Sequence, residues 1–210
     1  RRAVRRVAIC SLVPAALHAF QGAAVKYFHC EPFVLQAGVK TGLKVRYRNP
    51  HEVGADRIAG AIAATRRYPK QDLLVVDCGT ATTVEVVTAD GDYLGGVILP
   101  GVGVSASALA TNTAKLPRVE IAPPEHVLGR TTVESIQSGL YHGHVGAIRH
   151  ILAALKSEAF PAGNPRVIGT GGFSRMFERE GLFDEIISEL VLWGLKYAEG
   201  MNQDPETEKK

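Results

Sequence analysis

Apolar positions recur along the chain with two different periods, and together they predict a mixed α/β protein. Residues 7–10 form a short apolar run that reads as a buried strand, and Pro14 opens a helix because proline's fixed φ suits a first helical turn. Strands are expected at 33–37 and 43–48. The next helix, opened by Asn49-Pro50 or by Gly54-Ala55, runs through Ile58, Ile62 and Ala63 to Arg67. Residues 73–77 (Leu-Leu-Val-Val-Asp) are a continuous apolar run ending in a carboxylate, the pattern of a strand buried on both faces. Residues 82–88 alternate toward an Asp90-Gly91 turn and 93–99 return, so three strands meander before a helix intervenes. Small residues dominate a helix over 101–113, and a long helical period covers 132–155. A strand at 166–169 enters Thr170-Gly171-Gly172, and helices close the chain to about Met201 before a polar tail to Lys210. This order is α/β with an antiparallel start, not a simple alternating parallel sheet.

Composition narrows the class. With 210 residues the chain makes one domain or two small lobes, and 46% hydrophobic with 21% charged residues is enough to bury a core, which excludes disorder and collagen-like structure. The net charge of +3 is concentrated in Arg1, Arg2, Arg5 and Arg6, too locally to indicate a nucleic-acid partner. Three scattered cysteines (Cys10, Cys30, Cys78) indicate neither a disulfide framework nor a zinc site and fit a reducing cytoplasm. No apolar run approaches the roughly 20 residues that span a bilayer. Residues 1–30 lack Asp and Glu, so a signal or transit peptide is one reading of the start. Pro14 and the missing small-x-small site favour a strand and helix instead. No initiating Met is present, so this chain need not begin where its gene begins.

Three constellations can carry chemistry. Asp77-Cys78-Gly79-Thr80-Ala81-Thr82-Thr83 stands at a strand's carboxyl end, where glycine admits close backbone approach, N–H and Thr hydroxyl groups donate to phosphate, and Asp can hold a cation. An ordinary hairpin with polar turn residues would look the same. Gly169-Thr170-Gly171-Gly172 is a strand-to-helix turn that lets a nucleotide lie on the backbone, or one that is Gly-rich for packing alone. Gly54-Ala55-Asp56-Arg57, shortly after Tyr47, offers an Asp to accept a hydroxyl proton and an Arg to clamp an acidic substrate; the alternative is a charged pair on a solvated helix face. Gly54 weighs against that alternative, because glycine inside a helix is costly.

Other patterns carry less. Gly101-Val102-Gly103-Val104-Ser105-Ala106 with Glu120 fits a dinucleotide fingerprint, but it follows a meander where the first crossover of a parallel sheet is needed. His142 and His144 cannot face together at i,i+2, and with Gly139, Gly143 and Gly146 nearby they read as interface packing. Trp193 with Leu190, Leu192 and Leu195 reads as core.

The ordered series Ser11-Leu12-Val13-Pro14, Tyr47, Gly54-Ala55-Asp56-Arg57, Asp77-Cys78-Gly79-Thr80-Ala81-Thr82, Gly95-Gly96, Pro100-Gly101, Thr132-Val133-Glu134-Ser135, Gln137-Ser138-Gly139 and Thr170-Gly171-Gly172 closely resembles type III pantothenate kinase over nearly the whole chain. The resemblance implies an acetate and sugar kinase/Hsp70/actin fold of two ribonuclease H-like lobes, with 1–70 in the first and 71–210 in the second. It also implies a cytoplasmic homodimer that phosphorylates pantothenate with ATP, the first step toward coenzyme A, using Mg2+ and a monovalent cation (K+ or NH4+). By position it makes Asp56 the general base and Tyr47, Gly54, Ala55 and Arg57 pantothenate contacts, with Thr132 contributed across the dimer. Asp77 becomes the monovalent-cation ligand, Gly79 and Thr80 ATP phosphate contacts, and Gly171-Gly172 the region near the base.

One departure is that nothing in 1–30 matches the Asp-x-Gly-Asn-Thr phosphate loop with which the family begins, so the first lobe is expected to be incomplete. The alternative function is a non-catalytic relative acting as a transcription accessory protein.

Overall fold

The structure is a computed structural model describing residues 4–11 and 13–203. Arg1 and Arg2, Leu12 of the Ser11-Pro14 motif, and the polar tail from residue 204 lie outside the described residues. In chain order the elements are β1 (Ala8–Ile9), α1 (Pro14–Ala23), β2 (Phe33–Val34), β3 (Lys44–Val45), α2 (Ala55–Arg67), β4 (Leu73–Cys78), β5 (Ala81–Val87) and β6 (Asp92–Pro100). These are followed by α3 (Val102–Asn112), α4 (Thr132–Ala159), β7 (Arg166–Thr170), β8 (Glu185–Ile186) and α5 (Leu190–Met201). The chain is thus mixed α/β with a mixed sheet, as its hydrophobic pattern predicts.

The strands expected at 7–10, 33–37 and 43–48 are each cut to two paired residues. Glycines at 38 and 42, with φ of +94° and +73°, turn the chain out of extended conformation between β2 and β3. A π-helical turn, Ala24–Phe28, prolongs α1, and a 3-10 turn, Ser174–Glu180, stands where a closing helix was expected. Both candidate openings of α2 are used: Asn49 caps a 3-10 turn (Pro50–Glu52), and Gly54 then precedes the α-helix.

Contacts divide the chain into two compact units. The first comprises residues up to Lys70, Thr88–Leu94 and Glu189 onward. Its core is the contact of α2 with α5, where Ala59, Ala61, Ala63 and Ala64 are fully buried. A Cβ at Gly194 would overlap the Ala59 carbonyl, so the helices meet backbone to backbone. Asn202 closes this unit by donating to the Lys40 carbonyl and accepting from the Lys40 N–H, both at 2.8 Å. Leu190 and Leu195 are buried as a core reading requires, but Leu192 and Trp193 are 65% and 45% exposed, which corrects that reading for these two. Their side of α5 turns outward, where Trp193 stacks on Tyr197 at 6.2 Å beneath the Lys196 ammonium.

The second unit comprises Gln71–Val87 and Gly95–Ser188. Its strands run in the order β6-β5-β4-β7-β8, with β4 antiparallel to β5 and parallel to β7. β4 is buried on both faces because it is the central strand, which explains its unbroken apolar run. α4 starts with a side-chain cap: Thr131 Oγ1 accepts from the Glu134 N–H (3.2 Å), and Glu134 Oε2 reaches one residue beyond the cap to accept from the Arg130 N–H (2.7 Å). Its Tyr141, Val145, Ile148 and Leu152 cover Leu74, Val76, Val84 and Val86 of the sheet.

Candidate active site

Asp56 owes its position to the local sequence. Gly54 is extended (φ −57°, ψ 139°) and releases the chain into α2, so Asp56 occupies the first helical turn and the positive end of the helix dipole faces its carboxylate. Asp56 Oδ1 accepts from the Arg57 N–H at 2.8 Å. The Arg57 guanidinium lies over the Tyr47 ring, 5.9 Å from its centroid, so three of the expected acceptor-side residues are brought together. Beside them a cavity of about 510 Å³ is lined by Leu35, Val39, Val45, Val53, Ala55 and Ile58, among others. Cys10, which motif reasoning passed over, is close enough to feel Asp56. Burial first, and then the Asp56 charge, pushes its thiol up to about 11.

The second group gathers where β4 and β7 end side by side. Asp77 pairs with Thr83 on one side and Thr170 on the other. The chain then turns at Gly79-Thr80, closed by the Gly79 N–H to the Ala81 carbonyl (3.0 Å). From β7, Gly171 (φ +86°) folds against the Asp77 carboxylate, and the Phe173 N–H donates to the Cys78 carbonyl at 3.0 Å. A Cβ at Gly79 would stand 3.3 Å from Asp77 Oδ1, whereas one at Gly172 would meet nothing within 4 Å. Asp77, Gly79, Thr80 and Gly171 therefore form one constellation with Gly172 open beside it. A carboxylate against glycine backbone can hold a hard cation, and peptide N–H groups of such a turn can donate to phosphate oxygens. Burial, and next the Asp77 charge, pushes the Cys78 thiol up to about 12, which disfavours the thiolate.

Thr132 stands apart from that constellation. It begins α4 and lines a groove of about 1120 Å³ between α3 and α4, with Ser105, Asn112, Gly139, Gly143 and His144. None of Asp77, Gly79, Thr80, Gly171 or Gly172 lines this groove.

The dinucleotide fingerprint is not realised: Gly101 caps α3 after an antiparallel meander, and Glu120 sits in a loop, its carbonyl accepting from Gln137 Nε2. Among the described residues, no group of three or more His, Cys, Asp and Glu is placed to hold a metal. His144 is buried on the sheet side of α4, against Phe177, and also reaches the groove edge. Its position with Tyr141, Val145 and Ile148 at helical spacing is the signal that places it there. A Cβ at Gly139, Gly143 or Gly146 would meet nothing within 4 Å, so among the described residues no close helix contact within the chain accounts for those glycines.

The chain is similar to known proteins along most of its length. The family model of type III pantothenate kinase matches residues 1–154. A type III pantothenate kinase of Legionella pneumophila strain Corby is 52% identical over 199 residues, covering 95% of this chain and 78% of the relative. Type III pantothenate kinase 1 of Francisella tularensis subsp. holarctica strain OSU18 is 42% identical over 200 residues, with the same two coverages of 95% and 78%. Among solved structures, a protein from Campylobacter jejuni described as of the Baf family of transcriptional activators matches with a TM-score of 0.56 at 21% identity. That match covers 81% of this chain and 73% of the other, and at that identity it bears on the fold alone.

Proposed function

The chain belongs to the type III pantothenate kinase family, whose activity is ATP-dependent phosphorylation of pantothenate in coenzyme A biosynthesis, and from that premise we propose how its residues divide the work. Asp56 accepts the proton of the pantothenate primary hydroxyl as that oxygen attacks the γ-phosphorus of ATP and the bond to ADP breaks. Arg57, steadied on Tyr47, contacts the substrate's polar groups, and the Gly54-Ala55 backbone lets it approach. Thr80 and the peptide groups around Gly79 hold ATP phosphate, and Gly171-Gly172 lie near the base. The observation that carries this reading is the convergence of Asp77, Gly79 and Gly171 at adjacent strand ends.

One carboxylate in a glycine cradle suits a monovalent cation, so Asp77 would hold K+ or NH4+. That ion would supply positive charge beside the phosphates. Mg2+ would be held by the ATP phosphates with few protein oxygens, as is usual for it. We read residues 1–70 and 71–210 as ribonuclease H-like lobes of the acetate and sugar kinase/Hsp70/actin fold, the first of them incomplete. The protein works as a cytoplasmic homodimer whose α3–α4 groove brings Thr132 to the partner's substrate. Among the described residues, no helix is long and apolar enough to cross a membrane.

The test is transfer of the γ-phosphate of ATP to pantothenate by the protein expressed from its whole reading frame, with K+ and Mg2+ present. 4'-Phosphopantothenate identified by mass is the expected product, and its absence would overturn the reading.

A further inference from the structure

We propose that His144 is a positioning residue for ATP: through the peptide between Pro100 and Gly101 it fixes the turn at Gly79-Thr80. The proposal rests on assigning that turn to ATP phosphate, and it adds a residue that none of the motifs contains.

His144 is buried, and its ring lies parallel to that of Phe177 (interplanar angle 3°, centroids 6.2 Å apart). Its Nε2 is 3.1 Å from the Pro100 carbonyl oxygen. A carbonyl has no proton to give, so the contact is a hydrogen bond in the Nε2–H tautomer, which we assign although the Leu140 carbonyl is also within reach of the ring. Pro100 ends β6, and the same peptide group continues into the N–H of Gly101, which donates to the Thr80 carbonyl at 3.0 Å. The peptide is planar and stiff, so its C=O and N–H cannot be aimed independently. The result is a single line of hydrogen bonds, from His144 Nε2–H to O=C of Pro100, and from N–H of Gly101 to O=C of Thr80.

The contact at the far end is tight. A Cβ on Gly101 would overlap the carbonyls of both Thr80 and Gly79, so a tilt of this peptide must move the turn. Hydrogen bonds in series polarise one another, which strengthens the link in a buried setting. Burial holds the imidazole below its ordinary pKa, against the opposing effect of the Pro100 and Leu140 carbonyls, in keeping with a neutral ring. A histidine serving only as core filler would need Phe177 but not this line.

The test compares three substitutions. His144→Phe keeps an aromatic ring against Phe177 and removes the donor, His144→Gln keeps a donor of similar reach, and Thr80→Val removes the hydroxyl assigned to phosphate. His144→Phe should raise KM for ATP by about tenfold while KM for pantothenate stays within about twofold, the signature of a lost hydrogen bond on one substrate's side. His144→Gln should recover most of that loss. Hydrogen exchange at the Gly101 amide should accelerate in His144→Phe and not in His144→Gln. Should His144→Phe fail to fold, His144→Leu removes the donor with less bulk and is read in the same way. An unchanged KM for ATP, equal changes in both KM values, or failure of Gln to restore would overturn the proposal, provided that Thr80→Val raises KM for ATP. If Thr80→Val leaves KM for ATP unchanged, the assignment of the turn itself falls.

Discussion

Gly171 has no side chain because Asp77 Oδ1 occupies the space where its Cβ would stand. The backbone there is left-handed (φ +86°), so position 171 is closed to other residues both by conformation and by contact. Gly171→Ala should cost about 1–3 kcal/mol of stability and displace the Asp77 carboxylate. Thermal melting should fall, and KM for ATP should rise with KM for pantothenate little changed. A variant with wild-type melting and kinetics would contradict the contact.

Asp56 is the group assigned to the proton. Asp56→Asn keeps the shape of α2's first turn and an oxygen for the Arg57 N–H, so folding should survive. Turnover should drop about 100-fold or more, within the range for loss of a general base. Binding of pantothenate measured by calorimetry should persist. Near-normal kcat would remove Asp56 from the role.

For Asp77 the readout is the cation. Turnover should depend on K+ or NH4+ and fall when Na+ replaces them. Asp77→Ala should lower turnover and abolish the K+ response. A K+ titration that is unchanged in the variant would count against the assignment.

Tyr141 provides a pH test distant from substrate. Its hydroxyl donates to Glu180 Oε1 at 2.8 Å, and Arg149 holds Glu180 from the other side. Burial, that hydrogen bond and the Glu180 charge, opposed by Arg179, push the phenol from 10.0 up to about 12. Between those values the unfolded chain has released the proton and the folded chain has kept it. The stabilisation is therefore complete below pH 10 and is lost as pH rises toward 12. Urea midpoints measured from pH 8.5 to 11 should fall less steeply for Tyr141→Phe than for wild type. Parallel declines would show that Tyr141 does not titrate in this way.

How far the sequence foretells this structure depends on length and burial. β4, β5, β6 and α4 follow from their patterns because each is long enough for its periodicity to show and has a core to face. The two-residue strands β1, β2, β3 and β8 cannot display an alternation at all. Leu192 and Trp193 mislead because hydrophobicity reports a preference for burial and not the direction in which a helix faces. The grouping of Asp77 with Gly171 joins strands separated by a long crossover, so only the shared turn chemistry hints at it. His144 escapes for another reason: its partner is a main-chain carbonyl, and any residue could supply one.

The pair of hydrogen bonds between Asn202 and Lys40 has a consequence for synthesis. Residues Gln71–Val87 and Gly95–Ser188 are nearly continuous in sequence and can form their sheet while the ribosome is still translating α5. The first unit must instead wait for α5, with the alanine face of α2 uncovered until Gly194 and Asn202 emerge. A nascent chain stalled or cut before α5 would thus carry a finished second unit and an unfinished first one. Residues of the first unit made before Gln71 would be protected after those of the second, and a chaperone or protease acting during translation would meet the protein there.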